Sequence, residues 1–104
     1  MVDEAPRDPS RLLGLLGLAL RAGKLQVGFS AVEQAVHRGK EPLVVVAKDM
    51  GPSQRTRALR LEPVRGFVTD VVTGADLAAA LGRNKLMIVS VYDPGFVDGI
   101  RKLG

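Results

Sequence analysis

No cysteine occurs among the 104 residues, which excludes structural disulfides, thiolate metal sites and cysteine nucleophiles and is compatible with a reducing compartment. Histidine occurs once, as His37. A lone imidazole supports neither a catalytic triad nor a multi-histidine metal site, so His37 is expected to be an ordinary surface or packing residue, and no metal or other cofactor is expected. Also missing are a Gly-rich phosphate loop of the Walker or dinucleotide type, a nucleophile elbow, and paired carboxylates at a spacing suited to acid–base work. The chain is therefore not expected to be an enzyme or to take a small-molecule substrate. Nor is there a long apolar run: Leu12 to Leu20 is uncharged but is bounded by Arg11 and Arg21, about half the length a bilayer span requires. A secretory signal is disfavoured by the acidic start and by Arg21 in the would-be cleavage region. A cytoplasmic protein without a membrane partner is expected.

What is present is ordinary for a globular domain, with 46% hydrophobic and 25% charged residues. The formal net charge of +4 hides an asymmetry. In the first ten residues Asp3, Glu4 and Asp8 outweigh Arg7, a local sum of −2, so the rest of the chain carries +6. Such a balance attracts polyanions in a salt-sensitive way. Residues 1–7 read as a flexible acidic tail and residues 8–104 as a single domain, with no repeat or linker to divide it.

Punctuation residues mark out the elements. Asp8-Pro9-Ser10 opens a Leu- and Ala-rich helix, capped by either Asp8 or Ser10, that stops at Gly23. Gly14 and Gly17 lie three apart on one face and are expected to allow close approach of a neighbouring element. Lys24 to Val27 is long enough for a short strand. Ser30 followed by Glu33 fits a capping box, with Ala31, Val32, Ala35 and Val36 as the apolar face of a helix that Gly39 ends. Leu43 to Ala47 is a continuous apolar, β-branched run, expected to be a strand covered on both faces. Asp49 to Pro52 has turn chemistry, and Ser53 to Leu61 is expected to be a short, Arg-rich helix. Gly66 to Val72 reads as a strand. Thr73-x-x-Asp76 then resembles a capping box that opens a helix packing Leu77, Ala80 and Leu81 before Gly82. Leu86 to Tyr92 is a last buried strand, after which Asp93 and Pro94 open a helix carrying Phe96, Val97, Ile100 and Leu103. This alternation predicts an α/β fold, a three-layer α/β/α sandwich around a four-stranded mixed sheet.

Two places invite a functional reading. Asp49 follows the central strand, where open sheets bind ligands, although accepting backbone hydrogen bonds from its own turn is the commoner role for such a residue. At Gly28 the backbone can approach a partner closely, and the amides opening the next helix suit a phosphate or a base edge. Ser30, Gln34 and Arg38 follow at one-turn intervals, so one stripe offers a hydroxyl, an amide and a guanidinium.

The run from Gly28 to Pro52 resembles the signature of the kink-turn-binding ribosomal proteins, the large-subunit ribosomal protein seven-Ae and thirty-e superfamily, and in particular its short bacterial branch. That signature reads Gly, a small residue, Asn, Glu, a helix ending in Arg-Gly, an apolar strand, Ala, an acid, Asp, two residues and Pro. Gly28, Ala35, Arg38, Gly39, the strand through Ala47, Asp49 and Pro52 match it without gaps. Thr73 to Gly82 is similar to a second family segment, with Ala78 in place of its first Gly, and Arg21-Ala22-Gly23-Lys24 is typical of the bacterial branch. The likeness covers about nine-tenths of the chain.

The resemblance implies a non-catalytic RNA-binding domain over residues 8–104, a ribonucleoprotein component acting in translation. Its partners would be structured RNA, ribosomal RNA included, and ribosomal or other proteins. By position, Gly28, Phe29 and Ser30 would meet tandem sheared G·A pairs, and Gln34 and Arg38 would contact phosphates or bases. Arg83, Asn84 and Lys85 would form a loop over a flipped-out nucleotide, with Lys48 and Arg55 adding positive charge. Shape and extruded bases are how structured RNA is usually read. Three departures predict relaxed or altered kink-turn specificity: Ser30 stands for the family's Asn, Ala31 for its Glu and Gln34 for its Lys. Each lost bidentate base contact is worth about 1–3 kcal/mol. An alternative is a protein-interaction module on the same scaffold, since Phe29 and Ala31 at a helix head suit a protein surface.

Overall fold

Helices and strands alternate along the chain as α1 (Pro9–Arg21), β1 (Leu25–Val27), α2 (Phe29–His37), β2 (Leu43–Val46), α3 (Pro52–Leu59), β3 (Gly66–Val68), α4 (Gly74–Leu81), β4 (Ile88–Val91) and α5 (Pro94–Arg101). The structure is a computed structural model that describes residues 8–103; the tail expected at residues 1–7 lies outside the described residues. The sheet order is β1-β4-β2-β3. β2 and β3 run parallel, whereas β4 is antiparallel to both β1 and β2, so the sheet is mixed.

Side-chain alternation along the central strands divides the core in two. Leu43 and Val45 of β2, with Val89 and Val91 of β4, pack against Leu12, Leu16, Leu77, Leu81, Val97 and Ile100 from α1, α4 and α5. Val44, Val46 and Ile88 face the other way, onto Val32 of α2 and Ala58 of α3. These are the expected three layers, with β2 and β4 buried on both faces.

Most helix boundaries follow their caps. Asp8, not Ser10, caps α1, its carboxylate accepting from Ser10 N at 3.0 Å and Arg11 N at 3.3 Å. The Thr73/Asp76 capping box of α4 is complete, and the Asp93 carboxylate accepts from Gly95 and Phe96 at the head of α5.

Several expectations need correction, among them the buried strand expected over Leu86 to Tyr92, which spans Ile88–Val91 and leaves Tyr92 exposed. Ser30 caps nothing: α2 starts at Phe29 from Gly28, whose φ of 91° and ψ of 161° only glycine adopts readily. The Gly28 N–H donates to Ile88 O at 3.0 Å, which fastens the helix head to β4. Gly14 and Gly17 make no close approach. A Cβ at Gly14 would meet nothing within 4 Å, and one at Gly17 only the Arg21 guanidinium at 3.9 Å. The strand expected over 66–72 ends at Val68, because Asp70 turns the chain with a φ of 61°. On α4 the buried face is Leu77, Ala78 and Leu81, and Ala80 is exposed.

Candidate nucleic-acid interface

The first amides of any helix have no partner within the helix. In α1, α4 and α5 side chains accept from them, but among the described residues no side chain caps α2 or α3. α3 begins from Gly51 with Pro52 in its first turn, so the N–H groups at its head belong to Ser53 and Gln54. Both uncapped heads border one hollow of about 380 Å³, lined by Gly28 and Phe29, by Met50, Gly51 and Gln54, and by Lys85 to Ile88. Positive helix ends, the Lys85 ammonium and an apolar lining of Met50, Leu86, Met87 and Ile88 meet there. Such a hollow fits a flat apolar group that carries a negative charge.

Beside the hollow runs the stripe expected on α2. Ser30, Gln34 and Arg38 are exposed, while Val32, Ala35 and Val36 are buried on the opposite side. Phe29 is half-buried: its ring packs on the α2/α3 core layer and the Arg57 guanidinium lies over it, 4.3 Å from the centroid. The ridge around it stays accessible.

The structure brings Gly28, Phe29 and Lys85 together at this hollow, and Gln34, Arg38 and Arg83 together at a second concavity along α2. Asn84 is exposed on the α4–β4 loop between Arg83 and Lys85. Lys48 and Arg55 line neither place. Lys48 is exposed in the β2–α3 turn, and Arg55 faces Asp70 at 3.5 Å. Asp49 reaches a different partner from the one expected. Its carboxylate accepts from the Gly74 N–H at 2.8 Å, tying the β2–α3 turn to the head of α4 instead of fixing its own turn. His37 is exposed. Among the described residues no group of three or more His, Asp or Glu side chains is placed to hold a metal, and no helix is long and apolar enough to cross a membrane.

Several hollow residues escape a sequence reading. Gly51-Pro52 carries a helix-start signal that points to the α3 head, but nothing local brings that head opposite Gly28. Gln54, Met50 and Met87 become neighbours only once β2 and β4 pair.

No family model matches the chain. It is 33% identical over 95 residues to the large ribosomal subunit protein eL8 of Thermoplasma volcanium, covering 88% of this chain and 78% of that protein. The corresponding protein of Thermoplasma acidophilum is 32% identical with the same coverage. Among solved structures, a protein of unknown function from Bacillus halodurans C superposes with a TM-score of 0.78 at 29% identity, over 89% of this chain and 95% of that one. A 15.5-kDa RNA-binding protein of Giardia lamblia superposes with a TM-score of 0.71 over 90% of this chain and 82% of that one; at 20% identity it shows the shared fold.

Proposed function

Because this chain belongs to the eL8 family of large-ribosomal-subunit proteins, we propose that it binds structured RNA, ribosomal RNA included, as a non-catalytic component of a cytoplasmic ribonucleoprotein. The kinked RNA sits on the head of α2, with Gly28 and Ser30 against its non-Watson–Crick pairs and Gln34 and Arg38 along its backbone. An extruded base enters the hollow, and Lys85 with Asn84 closes over it.

The observation that carries this function is the convergence of two uncapped helix heads and Lys85 on one apolar-lined hollow, beside the exposed Ser30–Gln34–Arg38 stripe. A nucleotide satisfies all of its features: the base fills the apolar space, and phosphate meets the amides and the ammonium. Phe29, one of the two residues that suggest a protein surface, is half-buried beneath Arg57 and offers little apolar area to a partner protein. With Ser30, Ala31 and Gln34 in place of the family's base-reading side chains, binding leans on backbone charge and shape, so preference for a kink-turn over other folded RNA is modest. Fluorescence anisotropy with a kink-turn RNA and a straight duplex of equal length tests this. Salt-dependent binding with a modest preference for the kink-turn is expected; failure to bind either RNA would refute it.

A further inference from the structure

The second concavity along α2 has a different character from the hollow. It encloses about 390 Å³ and is bordered by Gln34 of α2 and Arg38 at that helix's C-cap, the β1 residue Gln26, Lys40, Tyr92, and Arg83 from the α4–β4 loop. Among the described residues β1 is an edge strand, bonded to β4 alone, so this space lies along the edge of the sheet, between the two helical layers. Among the described residues three cations line it and no carboxylate does. None of Arg38, Lys40 and Arg83 forms an ion pair among the described residues. The acid in the smaller adjoining hollow is Asp93, whose carboxylate is held by the α5 amides.

Its walls are suited to a base. The Tyr92 residue is 37% exposed, and Lys40 Nζ lies 5.5 Å from the ring centroid. Gln26 is held in orientation because its Oε1 accepts from the fully buried Ser90 hydroxyl at 2.7 Å. An aromatic face, a fixed amide and several cations are the parts from which proteins build single-stranded nucleotide sites.

Resting on the RNA-binding role proposed above, we propose that this concavity holds an unpaired nucleotide flanking the RNA seated on the α2 head, its base stacked on Tyr92 and its phosphates met by Arg38 and Arg83. Two observations favour RNA over an acidic peptide. The space is continuous with the α2 stripe through Gln34 and Arg38. The α4–β4 loop also serves both places, sending Lys85 into one and Arg83, two residues away, into the other. The volume falls near the low end of small-ligand pockets, about 300–1,000 Å³, which admits one nucleotide but no duplex.

The test is a titration of the full chain, labelled with nitrogen-15, with tetrauridylate and separately with hexaglutamate, followed by amide chemical shifts. Tetrauridylate is expected to shift Gln26, Lys40 and Tyr92. Tyr92→Ala is expected to weaken it about tenfold, whereas Tyr92→Phe, which keeps the ring, stays within about twofold. Shifts confined to Gly28–Ala31 and Lys85–Met87, unchanged affinity in Tyr92→Ala, or equal binding of hexaglutamate at the same residues would overturn the proposal. Kink-turn anisotropy on the same samples separates the two ideas. Loss of kink-turn binding with tetrauridylate still at Tyr92 refutes the function proposed for the α2 head alone, and kink-turn binding without the Tyr92 shifts refutes the β1-edge site alone.

Discussion

Arg57 of α3 and Glu33 of α2 are locked together: Nη2 of the arginine donates to both carboxylate oxygens, at 2.9 and 3.0 Å, while the guanidinium covers the Phe29 ring. This clamp joins the middle of α2 to the last turn of α3, the two helices whose uncapped heads border the hollow. It also explains why a basic residue five positions beyond the signature stretch adds little to the positive face.

Arg57→Ala is therefore expected to act on stability more than on RNA. The ion pair is partly exposed, with side-chain exposures of 55% and 28%, so it contributes about 0–1 kcal/mol, and the cation–π contact adds about 0.5–1 kcal/mol. Urea denaturation of Arg57→Ala, Glu33→Ala and the double variant should give a coupling energy of about 0–1 kcal/mol, the ion pair alone, because the Phe29 contact is lost equally with or without Glu33. RNA affinity of Arg57→Ala should change less than about threefold; a loss matching that of Arg38→Glu would mean that Arg57 is itself an RNA contact.

Gly74 is the position where added volume should matter most. A Cβ there would lie 2.6 Å from Met87 Sδ and 3.0 Å from the Leu86 carbonyl oxygen. The thioether can swing aside, but the carbonyl belongs to the backbone leading into β4. Gly74→Ala should cost about 1–3 kcal/mol by overpacking despite alanine's better helix propensity, and should reshape the hollow through Met87. Thermal denaturation and anisotropy read the two effects. A variant as stable as the parent would show that this contact is not tight.

Asp49 separates a structural role from a ligand-binding one. Asn at this position keeps an acceptor for the Gly74 amide, so Asp49→Asn should stay close to the parent in stability, whereas Asp49→Ala should lose about 0.5–2 kcal/mol, as for a lost helix cap. Equal losses from both, measured by chemical denaturation, would mean that the carboxylate charge is what matters.

Ser30, Ala31 and Gln34 can be exchanged to raise affinity. Because Ser30 lies inside α2 and caps nothing, Ser30→Asn leaves the helix start in place at Gly28. The triple variant Ser30→Asn, Ala31→Glu, Gln34→Lys should bind a kink-turn RNA at least tenfold tighter than the parent, since each regained base contact is worth about 1–3 kcal/mol. Unchanged affinity in a folded triple variant would place the G·A pairs elsewhere.

Much of the fold was legible because its signals are local. Asp8-Pro9, Thr73 with Asp76, and Asp93-Pro94 are caps whose donors lie within three residues, and Leu43 to Val46 has a β-branched run that suits a strand buried on both faces. The head of α2 was misread because a Ser-x-x-Glu pattern competes with a glycine whose extended, positive-φ backbone leaves no mark in the sequence. The partners of Glu33 and Asp49, 24 and 25 residues along the chain, are set by tertiary packing. For the same reason Arg55, expected to add positive charge, instead faces the acid Asp70. The candidate site was legible along α2, where the stripe follows from helical period, and hidden wherever β4 or α3 supplies the opposite wall.

The most direct test compares two charge reversals on opposite layers. Arg38 stands at the end of the exposed α2 stripe, whereas Arg101 lies on α5, where it donates to the Arg65 carbonyl at 3.3 Å. Titrating a kink-turn RNA at fixed salt, Arg38→Glu should weaken binding at least tenfold and Arg101→Glu by no more than about twofold, because only contacts at the interface release counterions from phosphate. Equal losses from the two variants would contradict the assignment of the α2 face as the RNA-binding surface.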